Sequence, residues 1–279
     1  MEVKLASYSG FCFGVKRAIK MAFQAADDEK GKPVCSLGSL IHNPQVVNEL
    51  KGKGVKVIKD LKGMREGTLI IRSHGVHPFL LAEAENAGLK IVDATCPLVK
   101  RVQVLAKMLD EEGYSVVIVG ERGHYEVKAL LGFAGNEALV IENLEEARRV
   151  KKVKKLGILS QTTQSLGNFK EVVGELSTKV EEIKLFNTIC EATRKRQKAT
   201  LDLSRKVDLM LVLGGYESAN TRRLAQISKE TGTETHHLEM AEEINICWLK
   251  GKDKVGVTAG ASTPDWVIEE VMDKLKKAG

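Results

Sequence analysis

Three of the five cysteines stand in matched surroundings. Cys12 is followed by Val15-Lys16-Arg17, Cys96 by Val99-Lys100-Arg101 and Cys190 by Thr193-Arg194-Lys195. Each thus has a β-branched residue three positions on, and then two basic ones. Cys96 follows a short apolar run, Lys90 to Ala94, that reads as a buried strand. Pro97 then takes the first helical position, where its missing N–H costs nothing. A thiol at that point feels the positive end of the helix dipole, which favours the thiolate, the form that binds metals. Three like-placed cysteines at similar intervals suggest an internal repeat. They lie too far apart for a zinc ribbon, which needs local cysteine pairs. They suit iron–sulfur ligation, where three thiolates would leave one iron of a [4Fe–4S] cube open to substrate. Cys35 and Cys247 lack this context and are expected in the core.

Histidines and hydroxyls form a second set. His42, His74 and His124 sit in turns rich in small residues, Gly38-Ser39-Leu40-Ile41-His42, Ser73-His74-Gly75 and Gly123-His124. Backbone N–H groups in such turns, beside imidazoles and hydroxyls, can cradle a phosphate. His77, His236 and His237 fall outside the pattern and are read as structural or exposed. Glu126 is the one acidic member of the set, and beside a metal-bound substrate it would serve as proton donor, with Thr162 as its partner.

The elements that must position these groups read as twelve short strands. They are Val3–Ser7, Pro33–Gly38, Val55–Lys59, Thr68–Ser73, Lys90–Ala94, Ser115–Gly120, Ala138–Asn143, Lys155–Ser160, Ile183–Thr188, Asp208–Gly214, Glu234–Leu238 and Lys254–Ala259. Helical periods fill most gaps, for instance 15–28, 98–112 and 191–205, so the pattern is βαβ with parallel sheets. Taken as quartets, the first strands end in Gly38, Gly120 and Gly214. His42, His124 and Ser218 come four residues later, and Pro44, Glu126 and Asn220 two further on. The third strands end near His74, Thr162 and Ser262, and the fourth strands deliver the cysteines. Only Val3–Ser7 remains to complete the third quartet, and it leads to Cys12. The expectation is an α/β fold of three pseudo-symmetric domains, each a small, mainly parallel four-stranded sheet flanked by helices, around a central cavity. The boundaries are 13–95, 96–189 and 190–279, the last completed by residues 1–12. Ligands of parallel sheets bind beyond the carboxyl ends of strands, where all these residues fall.

Composition narrows the class. With 43% hydrophobic and 29% charged residues the chain reads as a soluble globular protein. No apolar run reaches spanning length and no signal-peptide pattern opens the chain, so the expected setting is the cytoplasm, with no membrane contact. Five cysteines in a reducing compartment argue against a disulfide framework. The net charge of +6 suits an acidic partner. Few aromatics accompany the basic runs, which argues against nucleic acid. A three-cysteine zinc hydrolase and a basic binding protein remain alternatives on the residues alone.

The segments Gly10-Phe11-Cys12-Phe13-Gly14-Val15, Ser73-His74-Gly75, Asp93-Ala94-Thr95-Cys96-Pro97, Gln161-Thr162-Thr163, Thr188-Ile189-Cys190 and Ala259-Gly260-Ala261-Ser262 together resemble the LytB/IspH family. The resemblance spans nearly the whole chain. It implies a cytoplasmic iron–sulfur reductase that removes the hydroxyl of an allylic diphosphate, (E)-4-hydroxy-3-methylbut-2-enyl diphosphate. The products would be isopentenyl and dimethylallyl diphosphates, in the last step of the non-mevalonate isoprenoid pathway. It further implies one [4Fe–4S] cluster per chain on Cys12, Cys96 and Cys190, with an open coordination site on one iron. His42, His74, His124, Ser218, Asn220 and Ser262 would hold the diphosphate, Glu126 would deliver protons and Thr162 would hydrogen-bond beside it. Reduced ferredoxin or flavodoxin, both acidic, would supply electrons. The chain has Ser218-Ala219-Asn220 where the family often has Ser-Ser-Asn, and a charged Glu191 follows Cys190.

Overall fold

The computed structural model describes residues 1–29 and 31–278. The chain runs β1 (Glu2–Leu5), α1 (Phe13–Asp28), β2 (Val34–Leu37), α2 (Pro44–Gly52), β3 (Val55–Ile58), β4 (Thr68–Ile71), α3 (Pro78–Asn86), β5 (Lys90–Asp93) and α4 (Pro97–Glu111). It continues with β6 (Ser115–Val119), α5 (Tyr125–Leu131), β7 (Leu139–Ile141), α6 (Leu144–Arg149), β8 (Val153–Ser160), α7 (Leu166–Ser177), β9 (Val180–Leu185) and α8 (Glu191–Ser204). The last stretch is β10 (Leu209–Leu213), α9 (Ala219–Glu230), β11 (Glu234–Leu238), two 3₁₀ turns, β12 (Lys254–Ala259) and α10 (Asp265–Ala278). No helix among the described residues is long and apolar enough to cross a membrane.

Among the described residues, twelve strands form three four-stranded sheets, in the orders β3-β2-β4-β5, β7-β6-β8-β9 and β11-β10-β12-β1, and every pairing is parallel. The three orders are one topology repeated, with the N-terminal strand β1 filling the edge beside β12. Two compact units result by contact: Met1–Val15, His42–Val46 and Glu191–Gly279 in the first, Lys16–Ile41 and Val47–Cys190 in the second. The first unit holds the β1-containing sheet. The second holds the other two.

Strand alternation builds the cores. In β6, Val116 and Ile118 join Val102, Ala106, Leu109 and Leu130 on the α4–α5 side. Val117 and Val119 join Ala147, Phe169, Val172 and Leu176 on the α6–α7 side. Successive side chains of a strand point to opposite faces, so a run of four apolar residues serves two helix layers at once. Each fully buried Val, Leu or Ile contributes about 1.5–3 kcal/mol relative to exposure.

Three expectations are corrected. Lys90–Asp93 is an edge strand, exposed at Lys90 and half-buried beyond it, because only β4 flanks it. The strand expected at 183–188 starts earlier, at Val180, and ends at Leu185. Its early residues are polar because it too is an edge. It stops short of Thr188 because the Thr188 hydroxyl takes over the strand-like bonds, accepting from the Ser160 N–H (2.8 Å) and donating to the Ser160 carbonyl (2.6 Å). Cys247 is exposed, not in the core, whereas Cys35 is buried. Cys247 lies in a short 3₁₀ turn, Ile246–Leu249, of which only Leu249 reaches the interior.

Gly157 on β8 lets α4 approach the sheet. A Cβ there would fall 2.7 and 2.8 Å from the two Leu109 methyls, and Leu109 is fully enclosed and has nowhere to go. Gly157→Ala should therefore destabilise by about 1–3 kcal/mol in urea unfolding. Gly174→Ala, inside α7 with nothing within 4 Å of the new methyl, should stabilise by up to about 1 kcal/mol. Equal effects at the two sites would contradict this packing.

Candidate active site

The three cysteines are held by one repeated hydrogen bond. The Cys96 amide donates to the Ser73 carbonyl (2.9 Å), the Cys190 amide to the Thr162 carbonyl (3.0 Å) and the Cys12 amide to the Ala261 carbonyl (3.1 Å). Each acceptor lies just past the third strand of its own sheet. Each cysteine is partly exposed and stands at or just before a helix start. Cys96 is the N-cap of α4, with Pro97 at N1. The Cys12 sulfur accepts the Val15 N–H at 3.5 Å, in the first turn of α1.

In the second unit, Glu126 enters in the first turn of α5 and is 1% exposed. Its carboxyl accepts the Thr162 N–H at 2.6 Å and the Thr162 hydroxyl at 2.7 Å. Burial pushes it from its ordinary 4.5 up to about 7, against the two Thr162 bonds, which favour the charged form. Glu126 thus stands near half-protonation at neutral pH, hung from the loop whose Thr162 carbonyl also fixes Cys190. His124 caps α5, its Nδ1 accepting the Glu126 N–H at 3.1 Å. In the neutral ring this makes Nε2 the N–H nitrogen. His74 follows Ser73, whose N–H and hydroxyl both donate to the Leu40 carbonyl (3.2 and 3.1 Å). The rings of His74 and His124 meet edge to face, centroids 5.2 Å apart.

In the first unit, Ser218 caps α9 by accepting the Thr221 N–H at 3.3 Å. Asn220, the second residue of α9, is 3% exposed, and neither its amide nitrogen nor its amide oxygen has a partner. A buried carboxamide without a partner is costly. The Ser262 hydroxyl donates to the His42 carbonyl at 3.2 Å. Gly215 lies so close to that carbonyl that a Cβ would sit 2.5 Å from it. The segment His42–Val46 therefore belongs by contact with Ser218, Asn220 and Ser262.

The three off-pattern histidines are structural, as read: His77 caps α3, His236 stacks on Trp248 and His237 bonds the Gly214 carbonyl. Ala219 is the buried first residue of α9, and Glu191 is an exposed carboxylate paired with Arg194 and Lys195. Sequence reasoning missed Asn43, whose Oδ1 caps α2 through the Val46 N–H, and Arg196. Arg196 is buried and donates to the carbonyls of Gly10 (2.5 Å) and Ala192 (3.1 Å), which braces the approach to Cys12. Among the described residues no disulfide occurs. Three soft thiol donors, each at a helix start with a pinned backbone, fit an iron–sulfur group better than a hard cation.

The LytB protein family model matches residues 3–276. Relatives named 4-hydroxy-3-methylbut-2-enyl diphosphate reductase include one from Geobacter metallireducens, 52% identical over 99% of this chain and 98% of its own. Another, from Aquifex aeolicus, is 45% identical over 99% and 96%. A solved structure of (E)-4-hydroxy-3-methyl-but-2-enyl diphosphate reductase, described as the terminal enzyme of the non-mevalonate pathway, aligns with TM-score 0.69 at 45% identity, over 99% of this chain and 100% of that one. The E-1-hydroxy-2-methyl-but-2-enyl-4-diphosphate reductase of Plasmodium falciparum aligns with TM-score 0.92 at 29% identity, over 99% and 87%. This chain belongs to the LytB family.

Proposed function

We propose that this chain reductively dehydroxylates (E)-4-hydroxy-3-methylbut-2-enyl diphosphate to isopentenyl and dimethylallyl diphosphates, the last step of the non-mevalonate pathway. The observation that carries the mechanism is the buried Glu126–Thr162 pair on the loop that fixes Cys190. One carbon–oxygen bond breaks, the oxygen leaves as water and the carbon skeleton gains a hydrogen. The balance is two electrons and two protons per turnover. A [4Fe–4S] group on Cys12, Cys96 and Cys190, one per chain, would supply the electrons one at a time and a Lewis-acidic site for the substrate oxygen.

The rest is done by side chains. His42, His74, His124, Ser218, Asn220 and Ser262 hold the diphosphate, and the unsatisfied amide of Asn220 supports this role. Glu126 donates the proton with which the hydroxyl departs, and the Thr162 hydroxyl keeps that carboxyl oriented. On the same reading the chain is cytoplasmic and has three α/β domains, 13–95, 96–189 and 190–279 with 1–12. It takes electrons from an acidic carrier of the ferredoxin or flavodoxin kind.

Cys12→Ser, Cys96→Ser and Cys190→Ser should each lower iron and sulfide content or abolish turnover after anaerobic purification, while Cys35→Ala should do neither. Zinc in place of iron, or an indispensable Cys35, would overturn the assignment. Turnover driven by a reduced acidic carrier should slow as salt rises, because steering between opposite charges is screened. A rate indifferent to ionic strength would remove the electrostatic docking.

Glu126→Gln should cut turnover about 10²–10⁴-fold with little change in substrate affinity. The native rate should fall as pH rises through about 7, where Glu126 loses its proton, and the residual rate of the variant should lack that limb. Stability gives a second readout. The folded carboxyl is raised from 4.5 to about 7, so the stability it confers is complete below 4.5 and lost as pH rises through 7. The shift corresponds to about 3 kcal/mol, which Glu126→Gln should spare the protein between pH 5 and 8. Normal turnover by a cluster-loaded Gln variant would return Glu126 to a structural role.

A further inference from the structure

Arg72 immediately precedes the Ser73-His74-Gly75 turn, and its side chain leaves that turn for another one. The turn is closed by the Gly75 N–H donating to the Arg72 carbonyl (3.0 Å), with Gly75 at φ +77°. The guanidinium Nε donates back to the Gly75 carbonyl at 3.4 Å. Its central carbon lies 3.7 Å over the ring of Tyr125, the residue after His124 and the first of α5. Gly38, at the end of β2, makes room: a Cβ there would fall 2.5 Å from an Arg72 terminal nitrogen. One side chain thus touches the end of β2, the turn that carries His74 and the helix start that His124 caps.

Its charge is unusual. Among the described residues no carboxylate pairs with Arg72. Burial pulls its proton affinity down, and the partner that counteracts this is Tyr125. Lys128 lies on the same ring, 5.8 Å from its centroid. A partly desolvated cation held by the Tyr125 side chain and the Gly75 carbonyl brings positive charge to the two segments that carry His74 and His124. An arginine kept in this way is suited to an anion that arrives later.

We infer that Arg72 is a positioning residue for the anion site: it ties the turn that carries His74 to the helix start that His124 caps, through Tyr125, and adds a fixed positive charge to both segments. The inference rests on the reading that these histidines hold the diphosphate. A lysine would keep the charge but lose the planar stack and the fork, so the two contributions separate by substitution.

The test compares Arg72→Met, Arg72→Lys, Tyr125→Leu and His74→Phe in cluster-loaded enzyme, with inorganic pyrophosphate as the binding probe and substrate KM and kcat as the second readout. Arg72→Met should weaken pyrophosphate binding and raise KM about tenfold, with kcat within about threefold. Its affinity should also depend less steeply on salt than that of the native protein. Arg72→Lys should keep the salt dependence and recover part of the affinity. Tyr125→Leu should weaken binding without flattening the salt dependence, because it removes the stack and leaves the charge. If Arg72→Met binds pyrophosphate as the native protein does while His74→Phe does not, the inference on Arg72 is wrong and the histidine reading stands. If His74→Phe also binds normally, the histidine reading itself has failed. Equal losses in the Met and Lys variants with an unchanged salt slope would reduce Arg72 to a packing residue.

Discussion

The bond on which the site depends is the one from each cysteine amide to the carbonyl just beyond its sheet's third strand. It ties the fourth strand's exit to the third strand's exit. The thiol is thereby delivered to the carboxyl end of the sheet whatever the length of the intervening loop. That tolerance matters, because the loops differ. Cys96 comes two residues after Ala94, Cys190 four after Phe186 and Cys12 six after Ala6, each counted from a residue whose amide still bonds the neighbouring strand. Three unequal loops converge on one local geometry because the hydrogen bond, and not the loop, sets it.

Glu126 shows the same economy. A carboxyl with 1% exposure would be a liability if it were ionised without partners. Two bonds from a single threonine keep it oriented, and burial keeps its proton within reach at neutral pH. Thr162 serves the acid with its N–H and hydroxyl and serves Cys190 with its carbonyl. Shifts in the acid and shifts in the cysteine are therefore coupled through one residue.

Most of the architecture was legible in the sequence because its signals are local and apolar. β4 and β10, buried at every position, announce themselves as short runs of Leu, Ile, Val and Met. The missing fourth strand of the last sheet could be assigned by counting, and β1 pairs with β12 as that count requires. The failures share a cause. Edge strands β5 and β9 carry polar residues, so the burial of β5 and the limits of β9 were misjudged. Helix α8 hides its inner face for the opposite reason: the buried stripe is Thr193, Arg196, Thr200 and Ser204, at helical spacing but without an apolar member. Thr200 bonds Thr258 at 2.8 Å, and Ser204 bonds Ser228 at 3.1 Å. Nothing in Arg194-Lys195-Arg196 says which basic residue turns inward. Side-chain contacts between a turn and a distant helix start, such as Arg72 on Tyr125, leave no trace in spacing at all.

The proposed reaction is a reduction that consumes electrons in fixed proportion to product. Its most direct measurement is an anaerobic titration of the reconstituted protein, with (E)-4-hydroxy-3-methylbut-2-enyl diphosphate in excess and a reduced one-electron carrier added in limiting portions. The reaction should yield one molecule of isopentenyl or dimethylallyl diphosphate for every two electrons consumed, and no product without reductant. Product formed without electron consumption, or reductant consumed with the hydroxyl still in place, would contradict it.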